Sequence, residues 1–323
     1  MKIAFTTELP REGFRRLAER GLLEIENWKL KIEDLSPKEL QATDVLVSTF
    51  DYKVSRQLIE SMPQLKLIAN FGAGYNNIDL EACKERGIRV TNTPQPVIEP
   101  TAELAFALMI DVARRVSEFD RTMRGYGLQV TGEGIQFGVM KNLSHSLYGK
   151  TLGIIGMGRI GRALARRAVA SGMQIIYHNR QRLSEDIEQT YGARYVDFQT
   201  LLQDSDFVSL NLPYTPEVHH LIGKPELGMM KRSAYLINTA RGAHVHEQAL
   251  VEALQSGIIA GAALDVYEFE PQISETLLTL PNVVLSPHTG TGTWEGRIAM
   301  CENVTDNIIS FIEGRINEMD IVI

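Results

Sequence analysis

Leu152-Gly153-Ile154-Ile155-Gly156-Met157-Gly158-Arg159-Ile160-Gly161 is the stretch that decides the fold. An apolar run of buried-strand type passes directly into G-x-G-x-x-G, and Arg162 to Ala170 then reads as a helix. The spacing has a physical logic. Gly156 permits the tight turn, Gly158 lets backbone approach a pyrophosphate, and Gly161 lets helix and strand pack closely. The helix N-terminus adds unpaired N–H groups and partial positive charge. A bare G-x-G-x-x-G is a weak signal. Here the strand before, the helix after and a second strand at Gln174 to Tyr177 supply the context of a dinucleotide-binding unit.

Downstream, the same alternation continues. Strands are expected at Phe207 to Asn211, Ala234 to Asn238, Gly261 to Asp265 and Val283 to Ser286, and a last helix over Glu295 to Glu313. Upstream lies another series, with strands at Ile3 to Thr6, Asp44 to Ser48, Leu67 to Asn70 and Arg89 to Thr91. Helices are expected between them at Arg11 to Arg20, Ser55 to Ser61 and Leu80 to Arg86. Such alternation implies βαβ units and parallel sheets, hence an α/β chain with two doubly wound Rossmann-like domains. Thr93-Pro94-Gln95-Pro96 and Pro100 predict an extended crossing between the series. A long helix over Thr101 to Arg115, continuing towards Arg124 and capped by Thr101, should follow. Glycines at 125, 127, 132, 134 and 138 predict a loop.

Composition narrows the function. Of 323 residues, 44% are hydrophobic and 23% charged, ordinary for a globular chain, and the length favours two domains. A net charge of −7 without a basic block argues against nucleic acid as a partner. It leaves room for a small anion gripped by a local arginine. Two cysteines, Cys83 and Cys301, make no disulfide framework and point to a reducing, cytoplasmic compartment. Neither a signal-peptide core nor an apolar stretch of about 20 residues is present, so a membrane span is not expected.

At the end of the second dinucleotide strand, the sequence reads His178-Asn179-Arg180. An NAD enzyme usually places a carboxylate there for the ribose 2′-OH. With His178 in that place and Arg180 and Arg182 following, a 2′-phosphate meets guanidiniums and no repelling anion. NADP is therefore the preferred cofactor, with NAD possible through Asn179 and backbone groups. Three further strands end in polar residues: Arg241 in Asn238-Thr239-Ala240-Arg241-Gly242, Glu270 before Pro271, and His288 in Ser286-Pro287-His288. Ligands of open parallel sheets bind beyond the carboxyl ends of strands, so the three can converge. Arg241 suits a carboxylate, His288 proton exchange with a carbonyl oxygen, and Glu270 the orientation of His288. Singly, Arg241 is more often a surface ion-pair partner, and Glu270 and His288 more often loop residues.

These residues carry a family resemblance over essentially the whole chain. The sequence resembles the D-isomer-specific 2-hydroxyacid dehydrogenases. It does so in Gly72-Ala73-Gly74-Tyr75-Asn76-Asn77-Ile78-Asp79, Val90-Thr91-Asn92-Thr93-Pro94, Gly149-Lys150-Thr151-Leu152-Gly153, the glycine loop, Asn238 to Gly242, Ala263-Leu264-Asp265-Val266 and Ser286-Pro287-His288. The resemblance implies Arg241, Glu270 and His288 as the catalytic set. It implies that Gly72, Ala73 and Gly74 present backbone N–H groups to the substrate carboxylate together with Arg241. Thr101, Arg159, Ile160, Thr239 and Asp265 join the glycine loop and residues 178–180 on the cofactor side. It further implies a flavodoxin-like substrate domain of residues 1–99 and 289–323, a dinucleotide domain of residues 100–288, and a homodimer formed largely through residues 101–148.

Some features depart from the family pattern. His246 stands where an aspartate is usual, and residues 126–146 look unlike the usual arm. His244 and His246, or His219 and His220, offer at most two ligands from one short stretch, so no metal site is expected. Tyr177-His178-Asn179-Arg180 resembles reductases of glyoxylate, hydroxypyruvate and 2-ketogluconate. The runners-up are a phosphoglycerate-type dehydrogenase and a non-catalytic, nucleotide-sensing corepressor on the same fold.

Overall fold

Residues alternating to both faces of short β-branched and apolar runs pair into two parallel sheets. The computed structural model describes residues 1–23, 31–124 and 138–323. The chain divides into two compact units, Met1–Pro100 with Thr291–Ile323 and Thr101–Gly290. No described helix is long and apolar enough to cross a membrane.

The first unit holds β1 (Ile3–Phe5), β2 (Val45–Thr49), β3 (Leu67–Phe71) and β4 (Arg89–Thr91), in the order β1-β2-β3-β4. Phe5 also makes an isolated parallel bridge to Lys31, so the chain order reverses at β1, as in a flavodoxin-like sheet. Register aligns Ala4, Leu46, Ile68 and Val90 in one row across the sheet, and all four are fully buried. Each of the larger three contributes about 1.5–3 kcal/mol through burial. The terminal helix, Trp294–Ile312, packs back on this sheet.

The second unit holds β5 (Thr151–Ile155), β6 (Gln174–His178), β7 (Ala193–Tyr195), β8 (Phe207–Leu210), β9 (Tyr235–Asn238), β10 (Gly261–Leu264) and β11 (Val283–Leu285). The order is β11-β10-β9-β8-β5-β6-β7, all parallel. The chain winds outward in one direction from β5 and then in the other from β8. The switch point therefore lies between β5 and β8, where ligands of such sheets bind. Val208, Leu236 and Ala262 share a row of its core.

Three local expectations fail. Residues 94–97 form a turn rather than an extended crossing, and the long helix starts at Ile98. The Gln95 carbonyl accepts the Ile98 amide at 3.2 Å, with Pro96 fixing the turn's φ. Pro100 then sits inside the first helical turn, where its missing N–H costs nothing. Thr101 is consequently a helical residue, not a cap. The helix also stops at Arg114, because Arg115 takes a left-handed φ of 58°, and a separate helix covers Val116–Met123. Apart from Gly138, the expected glycine-rich loop lies outside the described residues.

Candidate active site

The glycine loop follows β5 at the switch point. Gly156 adopts φ +93°, and a Cβ there would lie 2.8 Å from the Asn211 and Leu212 backbone, just past β8. A Cβ on Gly161 would meet the Gly156 carbonyl at 2.6 Å. A Cβ on Gly158 would meet nothing within 4 Å, so this face of the loop is open for a ligand to approach. Gly158 caps the helix Arg159–Ala170, and the amides of Arg159, Ile160 and Gly161 precede its first intrahelical acceptor. Asn179 supports the loop by accepting the Met157 amide on Oδ1 at 2.7 Å. Next to it, Asn211 and Thr239 follow the paired residues Leu210 and Asn238, and each carries a buried side-chain oxygen with no hydrogen-bond partner. An open glycine, a helix N-terminus and two unsatisfied polar atoms at the strand ends fit a dinucleotide.

Beyond β6, the arginines separate. His178 uses Nδ1 on the Val196 carbonyl at 3.0 Å and stacks on Tyr195. Arg182 grips Glu188 with Nε at 2.9 Å and Nη2 at 2.7 Å, and Glu188 also accepts the Tyr177 hydroxyl at 2.7 Å. Those two bonds, Arg182 first, bring the Glu188 carboxyl down to about 2. Arg182 is thus paired with Glu188 through Nε and Nη2. Arg180 is exposed, with no hydrogen bond or ion pair among the described residues.

Arg241, Glu270 and His288 all lie beyond the carboxyl ends of β9, β10 and β11 in the second unit. His288 Nδ1 pairs with Glu270 Oε2 at 2.8 Å, while Glu270 Oε1 accepts the Tyr267 amide at 2.9 Å. Burial pushes the Glu270 carboxyl up. His288, the Tyr267 amide and the nearby Arg241 charge outweigh it and hold the group below its ordinary value. Arg241 is half-buried, and desolvation lowers its guanidinium against the pull of Glu270. Its turn is built by Asn238, which donates to the Arg241 carbonyl at 2.9 Å and accepts the Ala240 amide at 3.0 Å.

Asp265 does more than its expected cofactor contact requires. Buried at the end of β10, it accepts Ser286 Oγ at 2.6 Å and Thr289 N at 2.8 Å on Oδ1, and Gly290 N at 2.8 Å on Oδ2. Its carbonyl accepts the His288 amide at 2.9 Å. It therefore ties down the segment carrying His288, which is itself in the left-handed region at φ 53°. Thr101 lies beside it, since a Cβ on Gly290 would be 3.2 Å from Asp265 Oδ2 and 3.5 Å from Thr101 Oγ1.

In the first unit, the loop Gly72 to Gly74 follows β3. All three of its carbonyls are occupied from behind. Asn70 Nδ2 donates to Gly72 O at 3.0 Å and Gly74 O at 2.9 Å, and Asn92 Nδ2 to Ala73 O at 2.9 Å. Asn70 Oδ1 in turn accepts Ser48 Oγ at 3.2 Å. The Gly72 amide is itself spent on the Asn70 carbonyl at 3.1 Å, which leaves the Ala73 and Gly74 amides without an acceptor among the described residues, the polarity an anion requires.

Residues 106–290 match the family model described as the D-isomer-specific 2-hydroxyacid dehydrogenase NAD-binding domain. The chain belongs to this family. It is a nicotinamide-dependent oxidoreductase acting on a small 2-keto or D-2-hydroxy acid. A glyoxylate reductase of Thermococcus litoralis is 46% identical over 98% of this chain and 95% of the relative. Among solved structures, an NADPH-dependent glyoxylate/hydroxypyruvate reductase of Sinorhizobium meliloti, in complex with NADP and malonate, superposes with TM-score 0.82 at 32% identity. That match covers 96% of this chain and 93% of the other. A D-lactate dehydrogenase of Aquifex aeolicus, in complex with NAD and lactic acid, gives TM-score 0.82 at 29% identity, covering 100% and 99%. Asn70, Asn92, Asn238 and Asp265 as loop tethers escaped the sequence reading. The available signal was an amide or carboxylate at a strand end just before a loop that must expose its N–H groups.

Proposed function

We propose that this enzyme reduces a small 2-keto acid, glyoxylate or hydroxypyruvate first and 2-ketogluconate next, with NADPH preferred. The observation that carries the reading is the Glu270–His288 pair at 2.8 Å beside Arg241, at the same carboxyl edge of the sheet as the glycine loop. The bound nicotinamide supplies the hydride. Arg241 grips the substrate carboxylate. The anion site of the first unit is the loop Gly72 to Gly74, through the Ala73 and Gly74 amides, the Gly72 amide being spent on the Asn70 carbonyl at 3.1 Å. With Nδ1 committed to Glu270, His288 carries the moving proton on Nε2 and gives it to the carbonyl oxygen, and Glu270 steadies the imidazolium. The second unit also serves the cofactor, through Gly156, Gly158, Gly161, Thr101, Thr239 and Asp265. The names of the relatives support the substrate class.

Cofactor preference rests first on Arg180, since Arg182 is paired with Glu188. One charge-assisted contact to phosphate contributes about 1.5–3 kcal/mol, roughly ten- to hundredfold in preference. The test is kcat/KM for the three acids with NADPH and NADH in wild type, Arg180→Ala and His178→Asp. Arg180→Ala should hurt NADPH selectively, and His178→Asp should move preference to NADH. Equal losses with both cofactors would dismiss the cofactor assignment, and no turnover of any 2-keto acid would favour the corepressor reading.

Exposed Val116, Met123, Val139, Met140, Leu143 and Tyr148 support a second copy as partner. Sedimentation should give twice the chain mass. Buried, unpaired Cys83 and Cys301 support a reducing, cytoplasmic setting.

A further inference from the structure

Apart from the set just described, the second unit gathers three histidines and a carboxylate that the reaction does not use. One donor atom each from His219, His220 and Glu268 lies within 4.8 Å of the others. Two of these residues are consecutive, and consecutive side chains of regular backbone point apart. His220 takes a left-handed φ of 52°, and its ring stacks on that of His219 with centroids 3.8 Å apart. Such backbone is costly for a non-glycine residue and persists only where neighbours enforce it. Here the His220 amide donates to the Ala243 carbonyl at 2.8 Å, and the Ile222 amide to the His244 carbonyl at 2.9 Å.

The remaining contacts fix the polarity of the cluster. His220 Nε2 lies 2.5 Å from Glu268 Oε1, and Glu268 Oε2 accepts the Glu247 amide at 2.8 Å. His219 Nδ1 lies 3.2 Å from the Tyr214 hydroxyl. The His246 ring stands 4.6 Å from that of His220, with its Nδ1 accepting the Ala249 amide. A plain ion pair accounts for His220 and Glu268 but not for a second imidazole stacked on the first. A divalent cation takes a lone pair from each neutral imidazole and from the carboxylate together.

We propose that His219, His220 and Glu268 bind a first-row divalent metal of the zinc class, with water in the fourth position. Tetrahedral zinc donors sit about 3.4 Å apart. Around the ion the His220 Nε2–Glu268 Oε1 pair opens from 2.5 Å by roughly an ångström, and the exposed His219 swings in by side-chain rotation. The site is exchangeable, having three protein ligands and one of them at the surface. It also borders the chemistry. Glu268 stands two residues before Glu270, and Gly242, next to Arg241, packs so closely on this segment that a Cβ there would lie 2.4 Å from the Glu268 amide nitrogen. A bound ion ties the His219–His220 loop to the stretch that carries Glu270.

The protein, stripped with a chelator, is titrated with Zn²⁺ by calorimetry and with Co²⁺ by visible absorption. One ion per chain is expected, with the intense d–d bands of tetrahedral cobalt and a melting temperature raised by a few degrees. His219→Ala, at an exposed position, should weaken binding at least tenfold and abolish the thermal shift while keeping the metal-free melting temperature. Glu268→Gln should weaken it as well. His145→Ala, elsewhere in the unit, should bind as wild type does. Absence of stoichiometric binding, or His219→Ala binding as tightly as wild type, overturns the proposal.

Discussion

Replacing Asn70 by Ala removes the two hydrogen bonds, at 3.0 and 2.9 Å, that hold the Gly72 and Gly74 carbonyls inward. A net contribution of about 1 kcal/mol each gives about 2 kcal/mol of lost loop order. If the loop binds the substrate carboxylate, this cost returns at binding as a fall of roughly thirtyfold in kcat/KM, mostly in KM. Asn70→Asp should do worse, because it sets a carboxylate against two carbonyls in a site where Asn70 is 1% exposed. Ser48→Ala is the control. It removes the 3.2 Å bond to Asn70 Oδ1 but leaves both loop bonds, so kcat/KM should change less than threefold. The assay is steady-state reduction of glyoxylate at saturating NADPH, with melting temperatures for each variant. Refutation would be an Asn70→Ala protein that melts earlier yet keeps wild-type kcat/KM, or a Ser48→Ala protein that loses as much.

Other outcomes follow from the second unit. Arg241→Lys keeps the charge but loses the planar fork, so kcat/KM for glyoxylate should fall at least tenfold, and Arg241→Ala further; wild-type values for the Ala variant would remove Arg241 from the site. Gly158→Ala should fold normally but bind cofactor more weakly, since its Cβ enters open space, whereas Gly161→Ala should lower the melting temperature through its 2.6 Å contact with the Gly156 carbonyl; cofactor titration and calorimetry distinguish the two. His244 is fully buried, and desolvation brings its imidazole from 6.5 down to about 4. The folded group thus takes up its proton later than the unfolded one. Stability is complete above pH 6.5 and falls by about 3 kcal/mol as pH drops to 4. His244→Leu should flatten that limb of the urea-unfolding profile.

The strands were legible because β-branched and apolar runs carry their own period, and the glycine loop because its spacing answers a backbone need. Ala193–Tyr195 escaped, being a three-residue edge strand whose Arg194 breaks the apolar pattern. The proline stretch misled because two prolines serve a turn as readily as an extended crossing, and only the Gln95–Ile98 hydrogen bond decides. The Arg182–Glu188 pair was not legible because Glu188 sits on the following helix and is brought to it only by folding. Asn70, Asn92 and Asp265 were hidden for a related reason. What distinguishes them is which backbone atoms they reach, and residue type alone does not encode that.

Asp265 holds residues 286–290 mostly by main-chain atoms: the amides of His288, Thr289 and Gly290 all run to it. The tether is therefore indifferent to most side chains at Thr289 but intolerant of an imino acid. A saturation library there should return many active clones and no active proline. Lineages of this enzyme are free to redraw the rim around His288 while its place in the site stays fixed.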